Sequence, residues 1–86
     1  MIEIVYNEES FEWNELETKP LEDLSELESS FVNDAFANSL IFFELENKRA
    51  SLYKCTFNGY NIVKHQVYEG ETGYKLLREE IEIKEV

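Results

Sequence analysis

Apolar and polar residues alternate over several short stretches, which is the pattern of half-buried β-strands. The first stretch is residues 1–6, where two isoleucines and a tyrosine fall on one side. After a polar turn at residues 7–10, Phe11 and Trp13 alternate with glutamates. These patterns predict two strands near the amino terminus.

From Leu21 to Leu40 the apolar residues recur at the helical period. Pro20 suits the first position of a helix, because its ring fixes a helical φ and its missing N–H would be unpaired there. Glu28 interrupts the apolar stripe. A break at Ser29–Ser30 removes this conflict, since a serine can cap a second helix. We therefore expect two short helices rather than one long helix.

The following residues predict antiparallel strands. Residues 40–46 are apolar on both faces at their start, which predicts a central strand, and residues 46–48 predict a turn. Residues 51–57 alternate again. Asn58–Gly59 is a strong hairpin signal because both residues tolerate a positive φ. Residues 60–68 predict the next strand, rich in β-branched residues.

Gly70 and Gly73 predict a turn before the last segment. Within that segment, the alternation over Ile81–Ile83 predicts an edge strand, and residues 74–80 could instead form a helix. Together the elements predict a single α+β domain of 86 residues. Its expected architecture is an antiparallel sheet of four to five strands with one or two short helices packed on one face.

Composition favours a folded chain without a membrane segment. Apolar residues make up 43% and aromatic residues 14%, whereas disordered acidic tails are poor in both. The longest apolar run, residues 40–43, is too short to span a bilayer, and no secretion signal is visible. A single cysteine, Cys55, fits a reducing compartment. We therefore expect a cytoplasmic protein.

The acidic residues are concentrated in the first half of the sequence. Thirteen of the nineteen lie within residues 1–46, where Lys19 is the only base. Residues 47–86 carry six acids and seven bases, so the first half has a net charge of −12 and the second half +1, which together give the −11 of the chain. Like charges on a compact domain repel one another. Such a surface repels nucleic acid and anionic lipid, and it favours a basic protein as its partner.

No residue pattern indicates catalysis or a bound group. His65 is the only histidine, and Cys55 alternates with apolar residues, so we expect structural positions for both. The glycines fall in predicted turns rather than in a phosphate-binding loop, and the two aspartates form no calcium loop. We therefore expect no enzyme activity, no cofactor and no metal.

The carboxylates are instead expected to form a partner-binding surface. Alternate residues of a strand are about 6.6 Å apart, and residues four apart on a helix about 6 Å. These separations are of the order found between successive phosphates of DNA. Three rows fit this spacing: Glu15 with Glu17, Glu22 with Glu26, and Glu44 with Glu46. A core position is the more common one for such a tryptophan, but an exposed Trp13 would anchor the partner. The expected partner-binding residues are Glu12, Trp13, Glu15, Glu17, Glu22, Asp23, Glu26, Asp34, Glu44 and Glu46.

In size, low pI, scarcity of cysteine and the acidic segment 8–46, the chain resembles the small DNA-mimic inhibitors encoded by phages. No sequence motif carries this resemblance. It implies an inhibitor that occupies the DNA-binding surface of a basic protein, such as the nucleoid protein HU, a nuclease or a polymerase subunit. The place of action would be the cytoplasm of a bacterial host. Several such mimics act as homodimers. In this chain, the predicted edge strand 81–86 could pair with the same strand of a second copy.

Two alternatives stay open. The chain could be an immunity protein that neutralises a nuclease toxin through the same acidic face, in which case a neighbouring gene would encode the toxin. It could also be an interaction module whose acidity only maintains solubility. Reversal of several charges in residues 12–26 would then leave its activity intact.

Overall fold

The computed structural model describes residues 1–70 and 75–86, and within them it contains two antiparallel sheets, one 3-10 turn and one α-helix. The elements are β1 (Ile2–Tyr6), β2 (Glu9–Trp13), β3 (Lys19–Pro20), the 3-10 turn (Leu21–Asp23), α1 (Glu26–Asn38), β4 (Phe42–Asn47), β5 (Ala50–Phe57), β6 (Tyr60–Glu69) and β7 (Lys75–Glu85). β1 pairs with β2, and the other strands form one sheet in the order β3-β7-β6-β5-β4. The predicted α+β class and antiparallel sheet are confirmed. The predicted turn residue Gly73 lies outside the described residues.

The turn between β5 and β6 follows from two residues that tolerate a left-handed backbone. Asn58 and Gly59 have φ values of 51° and 83°, which is the combination that a two-residue type I′ turn requires. The turn sets the register of the hairpin, so that Phe57 lies opposite Tyr60. The predicted Asn–Gly hairpin is confirmed.

The helical region is divided at a different place from the one predicted. Pro20 belongs to β3 and precedes a short 3-10 turn, while α1 continues without a break through Ser29 and Ser30. Ser25 caps α1, because its side chain accepts a hydrogen bond from the N–H of Glu28 at 3.2 Å. In return, the Glu28 carboxylate accepts one from the N–H of Ser25 at 2.8 Å. This reciprocal capping box stabilises the helix start, and the predicted break at Ser29–Ser30 is wrong.

An ion pair explains why Glu28 interrupts the apolar stripe. Glu28 is only 4% exposed, and Lys19 Nζ donates to its two carboxylate oxygens at 2.8 and 3.0 Å. A buried carboxylate is tolerated when a cation and hydrogen-bond donors surround it. The glutamate therefore belongs on the buried face, and the helix does not need to end there.

β4 is an edge strand, which contradicts the central position predicted for residues 40–46. All six residues of β4 are exposed. β4 to β7 pair in sequence order, so the first strand of this meander lies at an edge unless another strand crosses to its free side. The remaining strands are paired elsewhere, because β1 pairs with β2 and β3 pairs with β7. The turn that follows β4 is at residues 48–49 rather than at residues 46–48.

β7 is a continuous strand, so the alternative of a helix over residues 74–80 is wrong for its described part, residues 75–80. β7 also differs from the predicted edge strand, because it has neighbours on both sides. Ile81 lies opposite Lys64 of β6 and opposite Lys19 of β3. Its outer side is therefore partly occupied by the chain that enters the 3-10 turn.

The segment before β3 extends this cover along β7. The Thr18 hydroxyl donates a hydrogen bond to the Glu80 carboxylate at 3.0 Å. The N–H of Glu85 donates to the Glu15 carboxylate at 3.1 Å. The prediction that residues 81–86 form an edge strand is therefore wrong at Ile81, where β3 pairs with β7, and the pairing of two copies through this segment stays a prediction.

The core is organised around the ring of Phe31 in α1. Phe31 is fully buried, and four other rings lie edge-on to it at centroid distances of 5.4 to 6.1 Å. These rings belong to Tyr6, Phe11, Phe57 and Tyr60. Edge-to-face aromatic pairs contribute beyond the burial of their area. One helical residue thereby joins the β1–β2 hairpin to the large sheet.

The turn between β1 and β2 contains a strained residue. Asn7 and Glu8 have φ values of 52° and 66°, a left-handed conformation that Asn tolerates and that favours glycine over glutamate. Glu8 is exposed, so no packing contact compensates for the strain.

Replacement of Glu8 by glycine should therefore stabilise the protein. We expect Glu8→Gly to raise the free energy of unfolding by about 0.5–1 kcal/mol, because glycine adopts a positive φ without a Cβ clash. Urea unfolding followed by circular dichroism measures the change. The matched control is Glu8→Gln, which removes the same charge and keeps the Cβ. An equal gain in both variants would mean that charge, and not backbone strain, is the cause.

Candidate partner-binding surface

The bases of the second half of the chain mostly pair with acids of the same half. The four pairs, at 3.0 to 3.9 Å, are Lys64–Glu79, Lys75–Glu69, Arg78–Glu80 and Lys84–Glu82. Glu82 also contacts the Nε2 atom of His65 at 3.0 Å. Three of these pairs join residues close in the sequence, and Lys64–Glu79 joins the neighbouring strands β6 and β7.

The acids of the first half keep most of their charge unbalanced. Within residues 1–46, Glu28 is paired with Lys19, and Glu44 is paired with Lys54 at 3.0 Å. Among the described residues, the other eleven acids of this half have no ion-pair partner within 4.0 Å. The charge separation of the sequence thus persists in the folded chain.

Most of the predicted partner-binding residues lie on the surface, but they do not form one group. Glu15 is half-buried, Trp13 is buried and the other eight are exposed. Five of the exposed residues lie between the end of β2 and the start of α1, and we call them the β3 acidic segment. They are Glu12, Glu17, Glu22, Asp23 and Glu26.

The remaining acids lie elsewhere. Asp34 is on α1, and Glu44 and Glu46 are on β4. β3 and β4 are the two opposite edges of the large sheet, about 19 Å apart at about 4.8 Å per strand spacing. The structure therefore separates Glu44 and Glu46 from the β3 acidic segment.

The regular rows of carboxylates predicted from spacing are not formed. Glu15 lies in a turn rather than in an extended segment. Glu22 belongs to the 3-10 turn, whereas Glu26 begins α1. Glu46 lies at the register shift of β4. Each row is interrupted by local backbone geometry, so uniform phosphate-like spacing does not describe this surface.

Two open grooves flank β3. The first has a volume of about 340 Å³, and its lining includes Glu12, Glu17 and Lys19. The second has a volume of about 420 Å³, and its lining includes Glu22 and the apolar residues Leu21, Leu76 and Leu77. The β3 acidic segment therefore combines carboxylates with concave surface, and in the second groove with apolar surface.

Trp13 is a core residue rather than an exposed anchor. Its side chain is 4% exposed, and Lys19 Nζ lies 5.8 Å from its ring centroid. Its Nε1–H has no hydrogen-bond partner among the described residues. The structure therefore places Trp13 in the core, and its inclusion among the partner-binding residues is wrong.

The strand register reveals an acidic pair that the sequence pattern alone does not identify. Glu3 of β1 lies directly opposite Glu12 of β2, and both are exposed. Cβ atoms at such positions are about 4.5–5.5 Å apart, and like charges there are destabilising. The alternation of β1 indicates that Glu3 faces outward, but its partner follows only from the register of the hairpin.

Neither Cys55 nor His65 lies in a cluster of metal-ligating residues. Burial raises the pKa of the Cys55 thiol, and the residue belongs to the core cluster. Within residues 1–70 and 75–86, no group of three or more His, Cys, Asp and Glu side chains is placed to hold a metal ion. In the same part of the chain, no helix has the length and apolar character needed to cross a membrane.

The pKa of the Glu28 carboxyl is set by opposing effects. Burial raises the pKa, but hydrogen bonds from Lys19 and Ser25 and the charge of Lys19 lower it below its usual value. The ionised form is therefore the one that the folded chain stabilises.

No protein-family model matches this chain, and comparison with curated proteins and with solved structures found no similar protein. Its function is therefore argued from the fold, the charge distribution and the contacts described above.

The pairing of Glu28 predicts a pH-dependent contribution to stability. A carboxyl whose pKa is lowered by folding stabilises the protein above its unfolded pKa, and this contribution is lost as the pH falls through the folded pKa. We expect Glu28→Gln to lower the free energy of unfolding by about 1.5–3 kcal/mol at neutral pH. The difference from the wild type should shrink on acidification. Urea unfolding across the acid range measures it, and a difference that is constant with pH would contradict the assignment.

The Glu3–Glu12 pair predicts a stabilising substitution. We expect Glu12→Gln to raise the free energy of unfolding by about 0.2–1 kcal/mol at low salt, because a like-charge contact across the hairpin disappears. The gain should diminish in high salt, where exposed charges are screened. Glu85→Gln is the control, since it removes an exposed charge that lies opposite Tyr60 rather than opposite an acid. Equal effects in both variants would attribute the gain to net charge alone.

Proposed function

We propose that this chain is a DNA-mimicking inhibitor that binds the DNA-binding surface of a basic protein and thereby excludes DNA. The observation that carries the proposal is the set of eleven first-half acids without an ion-pair partner among the described residues. Because these charges are not balanced within the chain, a basic groove can bind them without first breaking internal ion pairs. Complementary fields also accelerate association.

The contact surface we propose is the β3 acidic segment together with Glu3. Glu12 and Glu17 line one groove beside β3, and Glu22 lines the other. Glu3 adds a further charge through its position opposite Glu12. A rim of carboxylates around concave surface suits a partner that presents projecting lysine or arginine side chains, as DNA-binding proteins do.

Two features favour this proposal over a module whose acidity only maintains solubility. A high net charge is sufficient for solubility. Solubility does not require two acids to lie opposite each other. Glu3 and Glu12 nevertheless occupy such a destabilising arrangement. Glu8 also occupies a left-handed turn position where glycine would be favoured. Acids kept at a loss of stability are typical of functional surfaces.

Two triple variants with the same net charge test the proposed surface. Glu12→Gln, Glu17→Gln and Glu22→Gln together neutralise the β3 acidic segment. The control combines Glu44→Gln, Glu46→Gln and Glu69→Gln, of which the first two lie on the opposite edge of the sheet. At about 0.2–1 kcal/mol for each exposed charge contact, the first triple should weaken binding roughly 3- to 160-fold. The control should leave binding nearly unchanged.

A capture experiment identifies the protein that this chain binds. The immobilised chain is exposed to bacterial lysate at low salt, and bound proteins are eluted by duplex DNA or by a salt gradient. We expect a basic DNA-binding protein whose affinity falls steeply with salt, because exposed charges dominate the contact. Capture of a nuclease toxin encoded beside this chain would favour the immunity function instead. A captured protein that DNA does not displace, or equal losses in both triple variants, would contradict DNA mimicry.

A further inference from the structure

Exposed apolar side chains are concentrated along β4 and the residues that lead into it. Five of the twelve large apolar residues that are exposed in the described part of the chain lie within residues 40–45. Phe42 and Phe43 are 60% and 55% exposed, and Leu45 is 69% exposed. By strand alternation Phe43 and Leu45 share one face of the sheet and Phe42 lies on the other, and concentrated exposed apolar surface marks an interaction site.

The backbone of β4 is also available for pairing. β4 pairs with β5 on one side, and no strand among the described residues lies on its other side. The opposite edge of the same sheet is protected, because β3 has only two residues and one of them is Pro20. Short edges and proline prevent strand addition. β3 covers β7 only at Glu80 and Ile81, whereas no described strand lies on the outer side of the six-residue β4, so β4 is the edge better suited to strand addition.

The charge near β4 permits two acidic chains to meet there. Residues 40–54 carry two acids and three bases, so they have a net charge of +1 within a chain of −11. Glu44 is already paired with Lys54. The β3 acidic segment lies at the far edge of the sheet. When two copies meet at β4, their β3 acidic segments therefore lie at the two outer ends of the pair, where their mutual repulsion is weakest.

We propose that two copies of this chain form a homodimer in which their β4 strands pair antiparallel to make a continuous ten-stranded sheet. A twofold axis perpendicular to the sheet preserves its two faces, so odd-numbered residues of one strand lie opposite odd-numbered residues of the other. With Phe43 on the axis, Ile41 lies opposite Leu45 of the second copy. This register joins six apolar side chains on one face, next to Tyr53, whose ring lies 5.0 Å from that of Phe43.

Mass measurement by light scattering after gel filtration tests the dimer. The wild-type chain should show twice its mass of 10.2 kDa, and Phe43→Lys should show the single mass, since two lysines would face each other on the axis. Leu16→Lys is the control, because it makes the same charge change at a residue that is 94% exposed and lies outside β4. It should remain dimeric. Far-UV circular dichroism verifies that each variant is folded, and Leu45→Lys serves as the second disruptive variant.

A single cysteine substitution tests the register. Cα atoms of directly opposed residues on antiparallel strands are about 4.5–5.5 Å apart, which is within the range of a disulfide. Phe43→Cys should therefore form a linked dimer on mild oxidation, whereas Lys48→Cys in the adjacent turn should not. The native Cys55 is buried. Efficient linkage of both variants, or of neither, would overturn the proposed register.

Three outcomes of the mass measurement would overturn the dimer itself. A wild-type chain that is monomeric up to its solubility limit would show that β4 does not pair with a second copy. A Phe43→Lys chain that is folded and still dimeric would place the interface elsewhere. Assemblies larger than two copies would show that a surface other than β4 also joins the chains, which contradicts the proposed dimer. These outcomes do not depend on the binding of a basic protein, so they separate this inference from the proposed function.

Discussion

The ion pair between Lys19 and Glu28 is the interaction on which both the fold and the acidic surface depend. It joins β3 to the first turn of α1, with Lys19 Nζ at 2.8 and 3.0 Å from the two carboxylate oxygens. The same carboxylate accepts the N–H of Ser25 and so fixes the start of the helix. Because Lys19 is the only base within residues 1–46, its engagement with Glu28 leaves no other cation in that segment to balance the remaining acids. One contact therefore orders the polypeptide around β3 and leaves the surface around it negative.

Antiparallel pairing explains why the bases of the second half do not compensate for this imbalance. β6 and β7 place their lysines and arginine next to glutamates of the same strand, as in Lys84–Glu82, or of the paired strand, as in Lys64–Glu79. Their charges are neutralised locally within the sheet. The β1–β2 hairpin has no such bases, and its register places Glu3 opposite Glu12. The electrostatic asymmetry of the molecule is thus a consequence of which strands pair, and not only of composition.

The parts of the fold that depend on neighbouring residues could be predicted from the sequence. Asn58–Gly59 specifies its own turn, and the alternation of β1 identifies its buried face. The errors concern elements whose state is decided by residues distant in the chain. Glu28 is acceptable on the apolar face only because Lys19 reaches it, and β4 is at an edge because β3 joins β7 rather than β4. The start of α1 could have been predicted from the sequence, because Ser25 followed by a glutamate three residues later is a capping-box sequence. The Glu3–Glu12 contact required the register, which alternation does not provide.

The same topology that separates Glu44 and Glu46 from the β3 acidic segment also gives the molecule two surfaces of opposite character. At one edge of the large sheet, exposed carboxylates lie beside a strand too short to accept another strand. At the other edge, β4 has one side without a strand among the described residues and carries exposed phenylalanines, and residues 40–54 around it have a net charge of the opposite sign to that of the whole chain. Electrostatic attraction acts over roughly 10 Å at ordinary ionic strength, whereas apolar burial and strand pairing require direct contact. The basic partner that we propose would therefore be attracted to the β3 edge at long range, whereas β4 would bind only a surface already in contact with it. Because about 19 Å separates the two edges, contact at one does not occupy the other, and screening by salt weakens only the first.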